Sequence, residues 1–454
     1  MLMPKAAILT LGCKANQFES VAIQTQLEKL GFEVGPLEPA SALVVINTCT
    51  VTGATDTQSR KLVRRARRIS PDARIFVTGC AAQIEPHMFA PLAGVERVFG
   101  NMEKQDMESL LRSGGSLIQV GDIAAASACP DLKIQRFPGH SRAFVQIQTG
   151  CDNFCAYCII PYARGRSRSV PSITVVEQVQ ALVNSGFAEI VLTGIHIGQY
   201  GKDLPEGLDL AALVEKILKH TAVARVRLGS VEPQELTSAL LRLLAESDRV
   251  CSHLHIPLQS GSDTVLQRMK RTYSCTYFSD KVAAIKETVP EVSLGFDLIT
   301  GFPGESAAEF EQTRVLLESL PFNYLHVFPY SPRKGTLAAQ MPDQIPVEVR
   351  RARAAILRDL AHPRGEEYAR KFIGATVNVV FRKRAKSGSH AIPLWLGLSS
   401  EYLEVECSSQ AELGGRLRQV YVSSVEQGRL ICTDVGNGAV ENANRRAEPA
   451  RDRA

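Results

Sequence analysis

Apolar residues along this chain follow two rhythms, and the places where one gives way to the other mark its parts. Between residues 5 and 115 short apolar runs, "AAILTLG", "ALVVINT" and "RIFVTGC", alternate with stretches of three-to-four-residue spacing, "SVAIQTQLEKLG" and "DTQSRKLVRRARRI". The first kind reads as strands and the second as amphipathic helices. Strand alternating with helix predicts a small parallel α/β domain over 5–115.

Residues 116–139, which include "AAASAC", carry small and polar residues and read as a linker. From 140 to 366 six strand runs recur with helical patterns between them: "AFVQIQTG", "EIVLTGI", "RVRLGSV", "HLHIPLQ", "VSLGFDLITG" and "YLHVFPY". Six such units predict a partial (β/α)6 barrel, with chemistry at the carboxyl ends of its strands. Residues 367–434 change to short strands, "TVNVVFR", "YLEVEC", "RQVYVSSV" and "GRLICTD", which predict a small antiparallel β-barrel. The stretch 435–454 is polar and aperiodic and reads as a disordered tail.

Composition adds limits. The 454 residues are 45% hydrophobic and 22% charged, values of a folded protein of two or three domains. The net charge of +5 permits an acidic partner without demanding one. No apolar run is long enough to cross a bilayer, and the start lacks a signal-peptide core, so a cytoplasmic protein without a membrane partner is expected. Eleven cysteines, an odd number, then point to metal or catalysis rather than to a disulfide framework.

The sharpest cluster is "CDNFCAYC", in which Cys151, Cys155 and Cys158 have C-x3-C-x2-C spacing. Thiolates this close suit a soft metal or an iron–sulfur cluster, and three ligands leave one iron open. Structural zinc is the alternative, but it prefers a fourth protein ligand, and no second knuckle accompanies the motif. Three more cysteines, Cys13, Cys49 and Cys80, each end one of the first three predicted strands. Ligands gather beyond the carboxyl ends of parallel strands, although a lone cysteine there is also a common buried hydrophobe.

The C-x3-C-aromatic-C pattern, with Tyr157 as the aromatic residue, resembles the radical S-adenosylmethionine signature. The resemblance implies a [4Fe–4S] cluster whose open iron binds S-adenosylmethionine. It also implies cofactor contacts at the other strand ends: Gly194, Ser230, Glu232, Gln259 with Ser260, Asp297 and Gly301. Three dispersed N-terminal cysteines, the radical barrel and a barrel similar to the RNA-binding TRAM domain together resemble the methylthiotransferases over nearly the whole chain. In that family Cys13, Cys49 and Cys80 correspond to the ligands of an auxiliary [4Fe–4S] cluster. Two roles for S-adenosylmethionine follow, as methyl donor to a cluster-bound sulfur and as radical source, so all six cysteines count as catalytic. An electron donor and a sulfur source are implied partners.

The contexts "GCKANQFES" and "NTCTVT" resemble the branch that inserts a methylthio group at C2 of N6-threonylcarbamoyladenosine at tRNA position 37. Asn16, Gln17, Glu19 and Asn47 are expected around the sulfur site. The alternatives are the same chemistry on isopentenyladenosine in tRNA or on an aspartate of a ribosomal protein, and a non-catalytic metal-bearing RNA-binding protein. Charge favours RNA: Arg60, Lys61, Arg64, Arg65, Arg67 and Arg68 crowd one helix, and Arg382, Lys383, Arg384 and Lys386 cluster in the terminal barrel. These clusters are expected to meet the tRNA anticodon loop, with Ser331 and Arg333 near the substrate. His196, His253 and His255 are read as packing, and Trp395 as either core or a stacking surface for RNA.

Overall fold

The computed structural model describes residues 3–112, 114–384 and 392–434. Its first sheet has six parallel strands: β1 (Lys5–Thr10), β2 (Glu33–Gly35), β3 (Ser41–Thr48), β4 (Arg74–Gly79), β5 (Val95–Phe99) and β6 (Ile118–Gln119). They lie in the order β2-β1-β3-β4-β5-β6. The uninterrupted apolar run of β3 fits its central place, where both faces are covered. Connections leave β1 and β3 toward opposite neighbours, which opens a crevice beyond their carboxyl ends.

Six further parallel strands form two three-stranded sheets, β7 (Ala143–Gln146) with β10 (Glu189–Thr193) and β11 (Arg225–Leu228), and β12 (His253–Gln259) with β13 (Ser293–Thr300) and β14 (Tyr324–Pro329). A bridge between Ser230 and His255 joins the halves into the partial barrel. A short antiparallel ribbon, β8 (Gln148–Thr149) and β9 (Arg168–Ser169), brackets the cysteine loop. Phe18, Val21 and Ala22 of the helix Lys14–Lys29 enter the same apolar core as the barrel strands. The first two units therefore share one interior.

The segment 116–139 is not a free linker. Its start supplies β6, and Leu132, Ile134 and Phe137 are buried in the barrel core. The boundary expected at 366/367 falls inside a helix of 24 residues, Val347–Arg370, which buries Leu357 in the large barrel and Tyr368 in the small one.

The small barrel is closed, in the order β15-β16-β17-β19-β18, from β15 (Thr376–Arg384), β16 (Leu394–Ser399), β17 (Glu404–Ser408), β18 (Leu417–Glu426) and β19 (Arg429–Asp434). It has a fifth strand, β16, absent from the sequence reading, and its β17–β19 pair is parallel rather than antiparallel. Trp395 on β16 is buried and donates its ring N–H to the Ser409 carbonyl at 3.3 Å, so it is core and not a stacking surface. The expected tail, 435–454, lies outside the described residues.

This barrel is fixed beneath the amino ends of the large barrel's strands, the end opposite its chemistry. Arg225 donates to the carbonyls of Asn378 and Leu398 at 2.9 and 3.0 Å, and Arg227 to those of Ser400 and Ser399 at 2.9 and 2.8 Å. Glu189 holds both guanidiniums, accepting from Arg225 Nε at 2.6 Å and Arg227 Nε at 2.8 Å. Burial would raise the Glu189 pKa, but Arg227, Arg225 and Arg142 outweigh it and hold it at about 2.

Removing this carboxylate in Glu189→Ala leaves two buried cations without a counter-charge. A loss of about 3 kcal/mol is expected in urea unfolding at neutral pH. Because the folded pKa lies below the ordinary value, the contribution is full above that value and fades as pH falls through about 2. The gap between wild type and variant therefore narrows on acidification.

Candidate functional site

Cys49 and Cys80 follow directly on β3 and β4, and Cys13 lies three residues past the end of β1; the three strands are adjacent, at the crevice. Glycine makes the approach possible: Gly12 has φ of +103°, and a Cβ there would lie 2.8 Å from the Cys49 sulfur. Asn16 Nδ2 donates to the carbonyls of Leu11 and Thr48 at 2.8 and 2.9 Å, and Asn47 Nδ2 to the Asn16 carbonyl at 2.9 Å. These bonds tie the Cys13 turn to the Cys49 turn. Burial pushes the Cys49 thiol up to about 11 and raises that of Cys80; nearby Cys13 adds to both shifts.

Cys151, Cys155 and Cys158 occupy the loop after β8. Its middle is pinned by Ala156, whose N–H donates to the Met269 carbonyl at 3.0 Å and whose carbonyl accepts from Ala338 at 2.8 Å. Cys151 lies 3.5 Å from His196 Nδ1, and the other ring nitrogen of His196 is 2.9 Å from Glu235. Burial would lower the His196 pKa, but its bonds to Cys151 and Glu235 carry it to about 10. Arg271 reaches Cys155 at 3.3 Å and also pairs with Glu232. His196 and Arg271 thus touch the thiols, contacts that the linear sequence did not reveal; a histidine just past β10 was the only hint.

Among the described residues neither cysteine triad closes to within 4.8 Å, the spacing of a mononuclear ligand set. Tetrahedral zinc would need sulfurs about 3.8 Å apart. Two open sets of three soft donors fit iron–sulfur clusters better, with neither supplying a fourth thiol.

The other expected contacts differ in what they face. Gly194 packs on Gln148, whose side-chain oxygen accepts from the amides of Ile195 and His196. Ser230 is exposed at the junction of the two half-barrels. Gln259, at φ of +67°, and Asp297 line a cavity of about 220 Å³, together with Tyr157 and Cys158. Asp297 accepts from His255 at 2.8 Å and lies 3.4 Å from His326; against the opposing effect of burial, these bonds hold its carboxyl well below the usual range. His255 has its second nitrogen on the Tyr324 hydroxyl at 2.9 Å, so the group is a hydrogen-bonded chain with both His255 nitrogens occupied. Gly301 faces away from a cofactor position: a Cβ would lie 2.4 Å from Arg350, and its N–H donates to Glu305 at 2.7 Å.

The same cavity is walled on its far side by Val51 and Thr52, just past Cys49. Both cysteine loops therefore border one space. Ser331 borders it too, but its hydroxyl accepts the Gly53 N–H at 3.2 Å. Arg333 is buried on Asp56 at 2.7 Å and bonds Thr50. These two residues clamp the barrel to the Cys49 loop.

Arg64, Arg65 and Arg68 are exposed on the helix Gly53–Ile69, whose N-cap, Thr52, borders the cavity. Arg382 is paired with Glu404 at 2.6 Å. Lys383 and Arg384 lie on β15, with side chains outside the described set, and Lys386 lies outside the described residues. No described helix is long and apolar enough to cross a membrane.

Comparison with known proteins places this geometry. Residues 145–317 match the Radical SAM superfamily, and residues 5–100 match a family described as uncharacterized protein family UPF0004. The chain is 37% identical to threonylcarbamoyladenosine tRNA methylthiotransferase MtaB of Bacillus subtilis over 92% of this chain and 94% of that protein. To the protein of the same name from Rickettsia prowazekii it is 39% identical, over 94% and 96%. A tRNA-2-methylthio-N(6)-dimethylallyladenosine synthase of Acetivibrio thermocellus is 32% identical, over 92% and 88%. The solved radical S-adenosylmethionine methyltransferase TsrM of Kitasatospora setae shares the fold at a TM-score of 0.52 and 14% identity, covering 72% of this chain and 74% of that one.

Replacing the clamp in Arg333→Met leaves Asp56 without its buried partner. Amide exchange across residues 50–56 is expected to quicken about 100-fold while the barrel strands stay protected, as hydrogen-exchange mass spectrometry can read.

Proposed function

The chain belongs to the radical S-adenosylmethionine tRNA methylthiotransferases, and from that premise we propose that it inserts a methylthio group at C2 of N6-threonylcarbamoyladenosine at tRNA position 37. The observation that carries this reading is the cavity bordered by both cysteine loops, since sulfur donor and radical source must reach one carbon. The substrate branch draws on the relatives: those at 37% and 39% identity bear threonylcarbamoyladenosine in their names, and the one at 32% dimethylallyladenosine.

In this reading Cys151, Cys155 and Cys158 hold one [4Fe–4S] cluster, and Cys13, Cys49 and Cys80 a second. When bound, the first supplies the electron that cleaves S-adenosylmethionine, and the second carries the sulfur that is methylated and transferred. His196 and Arg271 donate hydrogen bonds to the barrel thiolates and fix their orientation. Tyr157, Gln259 and Asp297 line the space for cofactor and base, where Asp297, kept ionised, accepts hydrogen bonds. Gly194, Ser230 and Glu232 complete the strand ends near the cofactor, Glu232 through Arg271. Arg64, Arg65 and Arg68 take phosphates beside the cavity mouth, and an anticodon-loop base is easily splayed into it. An electron donor and a sulfur source complete the set of partners.

The test is reconstitution without oxygen, followed by reaction with S-adenosylmethionine, reductant and tRNA bearing threonylcarbamoyladenosine. About eight irons per chain and a methylthio nucleoside by mass spectrometry are expected. Cys155→Ala should abolish cofactor cleavage, whereas Cys49→Ala should keep cleavage and lose sulfur transfer. Full product from Cys49→Ala would refute the assignment of the second cluster. Replacing Arg64, Arg65 and Arg68 together by Glu should weaken tRNA binding and flatten its salt dependence by a slope of about 2 to 3.

A further inference from the structure

The walls of the N-terminal cysteine site carry a charge imbalance. Lys104 and Arg164 bring two cations and Glu19 one anion into a space where none of the three side chains is more than 4% exposed. Glu19 accepts from Lys104 Nζ at 2.5 Å and from Arg164 at 2.5 Å; Arg164 also donates to Asn16 Oδ1 at 2.6 Å, and Lys104 to Asn47 Oδ1 at 3.2 Å. The set is therefore left with one net positive charge away from water, a costly state without a nearby anion. Among the described residues the Nε of Arg164 is buried and has no acceptor, a second sign that a partner belongs here.

The cysteines supply that anion only when they are ionised. A doubly positive iron–sulfur core bound by three thiolates carries one net negative charge, the amount that the surrounding groups leave unbalanced. Arg164 is six residues past Cys158, on the helix Ile160–Arg164 of the barrel unit, yet its guanidinium serves the other site. The barrel triad has its own cation, Arg271.

We propose that Lys104 and Arg164 are positioning residues that act as the built-in counter-charge of the Cys13, Cys49 and Cys80 site, holding a net-anionic cluster there and raising its reduction potential. This rests on the two-cluster reading above.

The test uses two variants of opposite sign, Lys104→Met and Glu19→Gln, in the full chain. In redox titrations of the reconstituted enzyme followed by electron paramagnetic resonance, Lys104→Met should raise the oxidised-to-reduced ratio of the auxiliary cluster about tenfold or more at a fixed potential. Tenfold corresponds to 59 mV for a one-electron couple. Glu19→Gln should shift the ratio the other way, and the barrel cluster should hold its midpoint in both. Without iron, Lys104→Met should melt above wild type and gain less on reconstitution, because it no longer carries the unbalanced charge. Shifts of the same sign in the two variants, or none in the auxiliary cluster, would overturn the proposal. If wild type takes up only about four irons, the two-cluster reading fails, and the iron-free melting comparison still decides. A Lys104→Met protein melting no higher than wild type would then reject the counter-charge.

Discussion

Two sets of thiols from separate parts of a chain can work on one carbon only if those parts cannot drift. Burial of Phe18, Val21 and Ala22 in the barrel core removes that freedom, because separating the units would expose apolar surface at about 25 cal/mol per Å². The polar contacts then set orientation. Arg333 holds the loop after Cys49, and Arg164 reaches from the loop after Cys158 into the buried network behind Cys13. Apolar packing brings the sites together, and these two arginines fix how they face.

The barrel was legible because each of its six strands is a compact apolar run followed by a helical pattern. The first sheet was half legible: β2 and β6 have three and two residues, too short for a period, and the charges in "VERVF" break the run of β5. β16 escaped because "LWLGLS" lacks strict alternation. The cysteines stood out by spacing and by their places at strand ends. Their supporting groups did not: Arg164 and Glu19 are 145 positions apart, and Arg271 and Cys155 are 116 apart. Nothing local joins such pairs. Ser331 and Arg333 illustrate the converse, since residues singled out for the substrate also tie the barrel to the neighbouring domain, a use that their sequence context does not show.

Charge is also arranged by depth. At the lower end of the barrel Glu189 offsets its arginines, which donate to backbone carbonyls of the small barrel and make a joint. At the upper end Glu19 likewise faces two buried cations, Lys104 and Arg164, beside the thiols. One carboxylate against two buried cations thus accompanies a joint at one end of the barrel and the thiol site at the other.

The small barrel seated under the strands has a consequence for traffic. With Arg225 and Arg227 bonding the small barrel across that floor, the cavity at the upper rim is, in the proposed function, the mouth for cofactor, base and products. In the proposed reaction two molecules of S-adenosylmethionine per product, drawn through one doorway, would impose a queue. The remnant of the first would then have to clear the threshold before the nucleotide swings in, and the nucleotide would have to withdraw before the next round.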